Sequence, residues 1–124
     1  MARILVVDDD PNIRQVLAFA LRDEGYAVDE APDGRTALER VAREHPDVII
    51  LDMKMPRMDG WEFARRYRER HDHRAAIVVL TAAQDARRRA LDIGAESCIA
   101  KPFDLDLLIE RVAGLVAEVE GHRR

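Results

Sequence analysis

Residues 4–10 read ILVVDDD: four apolar residues run without interruption into Asp8, Asp9 and Asp10. A β-branched block of this kind lacks the polar alternation of a half-exposed strand and is expected to be buried on both faces. The pattern recurs as VIIL at 48–51 and IVVL at 77–80. Weaker strand signals are YAVDE at 26–30, expected towards a sheet edge, and the short SCIA at 97–100. Between the strands lie helical stripes. Ile13, Val16, Leu17, Ala20 and Leu21 fall at i, i+3, i+4, i+7 and i+8, and Ala37, Leu38, Val41 and Ala42 make a shorter stripe. Helices are expected near 11–24, 34–44, 60–71, 85–93 and 105–119.

Five βα repeats in 124 residues imply a parallel sheet whose right-handed crossovers place helices on both faces. The expected architecture is a doubly wound (βα)5 α/β domain with the flavodoxin-like strand order 2-1-3-4-5, occupying residues 1–124 as a single unit. In that topology ligands bind outside the carboxyl ends of the strands, where the order switches between strands 1 and 3.

Composition narrows the function. With 48% hydrophobic and 35% charged residues the chain is globular, and no apolar run approaches membrane-spanning length. A net charge of -4 argues against general nucleic-acid binding, which needs a basic face. The lone cysteine, Cys98, excludes an intrachain disulfide and a zinc cluster, and with no secretory signal pattern the expected location is cytoplasmic. The run RRYRERHDHR at 65–74 reads as the solvated face and end of a helix, and Arg87, Arg88 and Arg89 as solvated residues of the 85–93 helix.

Asp8 and Asp9 end strand 1, Asp52 ends strand 3, Thr81 ends strand 4, and strand 5 runs into Lys101. The topology gathers all five on one rim. Three carboxylates and one ammonium carry a formal charge of about -2, which one divalent cation cancels. Magnesium suits hard oxygen ligands that share a phosphate, and manganese could serve equally. Asp10 plays a separate part, since it precedes Pro11 at a helix entry, where its side chain can cap the first free amides. Taken alone, all three acids could serve that helix terminus, and Asp52 could be a turn residue before Pro56, Asp59 and Gly60. Beside a divalent ion and an ammonium, Asp52 can instead attack phosphorus and form an acyl phosphate, with Thr81 bonding a phosphoryl oxygen.

Through ILVVDDDPNIR, APDGRTALE, PDVIILDMKMPRMDGWEF, IVVLTA and DIGAESCIAKPF, the chain closely resembles the receiver domain of two-component response regulators over nearly its whole length. The resemblance implies that Asp52 accepts a phosphoryl group from a sensor histidine kinase or a histidine phosphotransfer protein. It implies that Asp9 and Asp52 bind the metal directly, Asp8 through water, and the main-chain carbonyl of Lys54 as a further ligand. Thr81 and Lys101 would be the switch hydroxyl and the phosphate-binding lysine, and Lys101–Pro102 a cis bond. The chain would catalyse only its own phosphorylation and dephosphorylation, so it is expected to be a switch rather than an enzyme with a released substrate. Its output would be an unidentified partner protein bound through the 85–93 helix, strand 5 and the closing helix, as a monomer or a phosphorylation-dependent dimer. A stand-alone regulator is expected, although a piece of a longer one would look the same.

Two positions depart from the family's pattern. Cys98 stands where family members often carry an aromatic switch residue, and the stretch from Thr81 to Gly94 is shorter than usual by roughly half a helical turn. Three rival readings follow from the same residues. An inert pseudo-receiver would bind partners without metal or phosphoryl chemistry. A haloacid dehalogenase-type phosphatase would need a DxDx[TV] pattern, but Asn12 fills the fifth position. A flavin carrier would need a phosphate-cradling Ser/Thr/Gly run after strand 1, which is missing.

Overall fold

A computed structural model describes residues 2–53, 55, 58–70, 75–81 and 93–122. The elements in chain order are β1 (Arg3–Val7), α1 (Pro11–Asp23), β2 (Ala27–Ala31), α2 (Gly34–Arg43), β3 (Val48–Asp52), α3 (Gly60–Arg70), β4 (Ala76–Thr81), β5 (Ser97–Ala100) and α4 (Leu105–His122). The strands form one parallel sheet in the order β2-β1-β3-β4-β5, so the doubly wound, flavodoxin-like topology is the one the apolar blocks imply. YAVDE does lie at an edge. Of the helix expected near 85–93, all but residue 93 falls outside the described residues, Arg87, Arg88 and Arg89 included, as does most of the short stretch between Thr81 and Gly94.

The three apolar blocks are central because each strand buries both of its faces. Ile4, Val6, Val48, Ile50, Val78 and Leu80 point to one side, where Leu17 and Leu21 of α1 and Leu108 and Val112 of α4 cover them. Leu5, Val7, Ile49, Leu51, Ile77 and Val79 point to the other, against Ala37 and Val41 of α2 and Phe63 and Tyr67 of α3. Period-two alternation thus splits one hydrophobic sequence block between two half-cores.

Local signals set the helix entries. Asp10 Oδ1 accepts from the amides of Asn12 (2.9 Å) and Ile13 (3.4 Å), and Pro11 at the first helical position forfeits no bond. Asp33 caps α2 through the amide of Thr36 at 2.8 Å. After α1 the chain turns at Gly25, whose φ of 95° lies in the region open to glycine.

Two expectations are corrected. The buried arc of α1 is Leu17, Ala18 and Leu21, while Val16 is 55% exposed, because the helix lies on the sheet by its Ala18 side and the small methyl lets it approach. Nor is the 65–74 run uniformly solvated. Tyr67 is buried, stacked on Phe63 with centroids 5.9 Å apart, and its Oη accepts from the amide of Ala75 at 2.8 Å. Arg68 reaches from α3 to the carbonyls of Ala75 (3.4 Å) and Gly94 (3.3 Å) and pairs with Glu96 at 3.4 Å, so it ties the helix to the segment before β5. Arg65, Arg66 and Glu69 do behave as an exposed helix face, paired among themselves and with Glu62.

Candidate functional site

The rim is built by strand register. Val7 pairs with Leu51, and Asp52 pairs with Leu80, so Asp8, Asp52 and Thr81 sit at nearly one height where β1, β3 and β4 end. Asp8 continues the ladder for one more bond, its amide donating to the carbonyl of Ala31 at 3.1 Å. Its side chain is fully buried, and Oδ1 accepts from the amide of Asp10 at 2.9 Å. A buried carboxylate needs such donors and a counter-charge.

Lys101 supplies the charge. Its Nζ lies 3.4 Å from Asp8 Oδ2 and 3.4 Å from Asp52 Oδ1, with only 22% of the side chain exposed. Two features aim it. Its amide donates to the carbonyl of Thr81 at 2.9 Å, one step past the β4–β5 pairing, and the Lys101–Pro102 peptide is cis. Thr81 is buried at the end of β4, one residue beyond the partner of Asp52.

Carboxylate oxygens of Asp8, Asp9 and Asp52 lie within 4.8 Å of one another, with Asp9 exposed to solvent and the other two buried. Hard oxygens converging from two adjacent strand ends, open on the Asp9 side, fit a cation that keeps several waters, and Mg2+ has that chemistry. The carbonyl of Lys54 lies outside the described residues. Cys98 is half-buried on β5, in register with Val79, and packs on the α2/α3 half-core as a small side chain without a ring.

The chain beyond Asp52 is fastened at both ends. Met53 donates its amide to Leu80 O at 3.3 Å and accepts from the amide of Gly60 at 3.2 Å, while Gly34 donates to Met58 O at 3.3 Å. A side chain at Gly60 would put its Cβ 2.7 Å from Met53 Sδ, 2.8 Å from Met53 Cα and 2.9 Å from the carbonyl of Asp52. Glycine is therefore required by close approach, a stronger demand than its place in a turn. Sequence reasoning also misses Arg14, which reaches back from α1 to the carbonyl of Asp8 at 2.8 Å. Its one signal is a cation a turn into the helix that starts at the acidic cluster.

This fold and rim define a class, and comparison with known proteins agrees. The family described as response regulator receiver domain matches residues 4–113. The chain belongs to that family, whose members are signalling modules of two-component systems. Among curated relatives, response regulator MprA of Mycolicibacterium vanbaalenii is 44% identical over 116 residues, and that of Mycobacterium leprae is 45% identical; each alignment covers 92% of this chain and 50% of the relative. The chain thus spans about half the length of the curated relatives it matches. Among solved structures, chemotaxis response regulator CheY4 of Vibrio cholerae superposes with a TM-score of 0.85 at 35% identity, covering 93% of this chain and 98% of that one. Response regulator TrrA of Thermotoga maritima, solved in complex with Mg(2+)-BeF, gives 0.82 at 40% identity, covering 93% and 99%. Among the described residues, no helix is long and apolar enough to cross a membrane.

Proposed function

We propose that the chain is a phosphorylation switch in a histidine-to-aspartate relay, with Asp52 as the phosphoacceptor. The observation that carries this reading is the ammonium of Lys101, held 3.4 Å from both Asp8 and Asp52 beside a three-carboxylate cluster. A carboxylate oxygen of Asp52 attacks the phosphorus of a phosphohistidine; the phosphorus–nitrogen bond breaks and its electron pair stays on the imidazole. Asp52 is left as an acyl phosphate, with Lys101 against one phosphoryl oxygen and the hydroxyl of Thr81 on another. Asp9 and Asp52 would hold Mg2+, or Mn2+, directly, with Asp8 acting through water and Lys54 through its carbonyl, and the ion would neutralise charge developing on the transferred group. The Thermotoga relative, solved in complex with Mg(2+)-BeF, supports magnesium as the ion. Hydrolysis reverses the modification when water attacks phosphorus and Asp52 leaves, so the chain turns over only its own phosphate.

The donor would be a sensor histidine kinase or a phosphotransfer protein, acting in the cytoplasm. The signal would leave as a shift of Thr81 that alters the surface of β5 and α4, together with residues 85–93, for a downstream protein or a second copy. With Cys98 on β5, that shift passes without rotation of an aromatic ring. The test is intact mass after incubation with acetyl phosphate, with and without Mg2+, beside Asp52→Asn. One phosphoryl adduct that needs Mg2+ and is lost in the variant supports the switch. If acetyl phosphate and a phosphohistidine donor both leave the wild type unmodified while a control receiver is labelled, an inert partner-binding module is the better account.

A further inference from the structure

We infer that Arg14 is a positioning residue for the metal-binding acids, fixing the Asp8–Asp9 peptide from the side of α1. The inference rests on the proposed Mg2+ site. Among the described residues, the carbonyl of Asp8 lies one position past Val7, the last paired residue of β1, and it accepts from Arg14 Nη1 at 2.8 Å. The guanidinium is itself held: Nε lies 3.3 Å from Glu30 Oε1 on the edge strand β2, with 17% and 28% of the two side chains exposed. Glu30 Oε2 is in turn 3.5 Å from Arg22.

A peptide unit is planar, so fixing the Asp8 carbonyl also fixes the Asp9 amide and Cα, and with the Asp10 amide held on Asp8 Oδ1 the backbone is anchored on both sides of Asp9. Asp8 has its own anchors in the amide of Asp10 and in Lys101, and Asp52 is held by strand pairing. Asp9 is exposed, and Arg14 acts on the first of the two peptides that flank it. The rigid fork of arginine lets one side chain bond the carbonyl and Glu30 together, which a lysine ammonium on a flexible stem does poorly. Partners that orient metal ligands typically change affinity by about 10- to 100-fold when removed.

Charge and placement pull in opposite directions here, which makes the inference testable. A guanidinium near the acids repels Mg2+, so its loss by charge alone would tighten binding; loss of placement would weaken it. Mg2+ binding is measured by titration calorimetry on the wild type, Arg14→Met and the control Arg65→Ala on the exposed face of α3, with thermal unfolding in EDTA for each. The expected result is a roughly tenfold higher Kd in Arg14→Met and a change under about twofold in Arg65→Ala. Phosphorylation of Arg14→Met by acetyl phosphate should be slow at low Mg2+ and approach the wild-type rate at saturating Mg2+. Unchanged or tighter Mg2+ binding in a folded Arg14→Met overturns the inference, whatever its melting temperature. If Arg14→Met does not fold, Arg14→Lys serves: it keeps the charge but not the fork, so weaker binding is expected and unchanged affinity overturns. Failure of the wild type itself to bind Mg2+ would sink the proposed function, and this inference with it.

Discussion

Replacing Lys101 with methionine keeps the length of the side chain and removes the ammonium that stands 3.4 Å from Asp8 and from Asp52. Unit charges at that separation attract by about 5 kcal/mol at an effective dielectric of ~20 and by about 1 kcal/mol in bulk water. Removing one partner of a buried pair typically costs about 3–5 kcal/mol, because the other charge stays desolvated. Asp8 is fully buried and Asp52 nearly so, but Lys101 keeps 22% of its side chain exposed. Water admitted there lowers the expected loss to about 2–3 kcal/mol. For a chain of this size that corresponds to a fall in Tm of about 10 °C. Urea and thermal unfolding by circular dichroism in EDTA would measure it. In Mg2+ the deficit should shrink, since the site's formal charge falls from about -2 to about -3 and the cation binds only the folded state. Adding Asp8→Asn to Lys101→Met should recover most of the loss. Wild-type stability of Lys101→Met in EDTA, within ~0.5 kcal/mol, would refute the coupling of these charges. A deficit indifferent to Mg2+ would refute a shared cation site.

Gly60→Ala forces a methyl against Met53 and the Asp52 carbonyl, so a loss of about 1–3 kcal/mol and slower labelling of Asp52 are expected; equal labelling rates would show that the close contact does not position the acid. Tyr67→Phe leaves the buried amide of Ala75 without that acceptor, which should cost about 1–3 kcal/mol in urea unfolding, and a neutral substitution would mean water replaces the hydroxyl. The carboxyl of Glu62 is held below the usual glutamate range, first by its hydrogen bond with Arg66 and then by that with Arg65. Because the folded value is the lower one, its stabilising effect is present above the ordinary pKa and lost as pH falls through the folded value. The gap in urea midpoint between wild type and Glu62→Gln should therefore close on acidification, and a gap independent of pH would rule out these contacts in solution.

Apolar blocks suffice to read the sheet, because runs as short and β-branched as VIIL or IVVL suit a strand buried on both faces better than a helix. They do not fix the rotation of α1, since hydrophobicity ranks Val16 above Ala18 while close packing on the sheet prefers the smaller residue. Charge runs mislead similarly: Arg68 looks like its solvated neighbours, and only the course of the chain before β5 reveals its carbonyl partners. At the rim, Asp8, Asp9, Asp52 and Lys101 could be placed because strand ends are fixed by the topology. Arg14 could not, because its target is a main-chain oxygen, which leaves no mark in the sequence.

Asp8 and Lys101 are separated by 93 positions along the chain. The acids can gather once β1 and β3 pair, but their neutralising partner arrives only with the last strand. During synthesis Lys101 can reach the acids only after nearly the whole domain has left the ribosome. Closing so long a loop is entropically demanding and makes the final step cooperative with the rest of the sheet. With Lys101 as the proposed phosphate-binding lysine, a partly made or locally opened chain would lack its cation at the rim, and competence to be modified would double as a check that folding has finished.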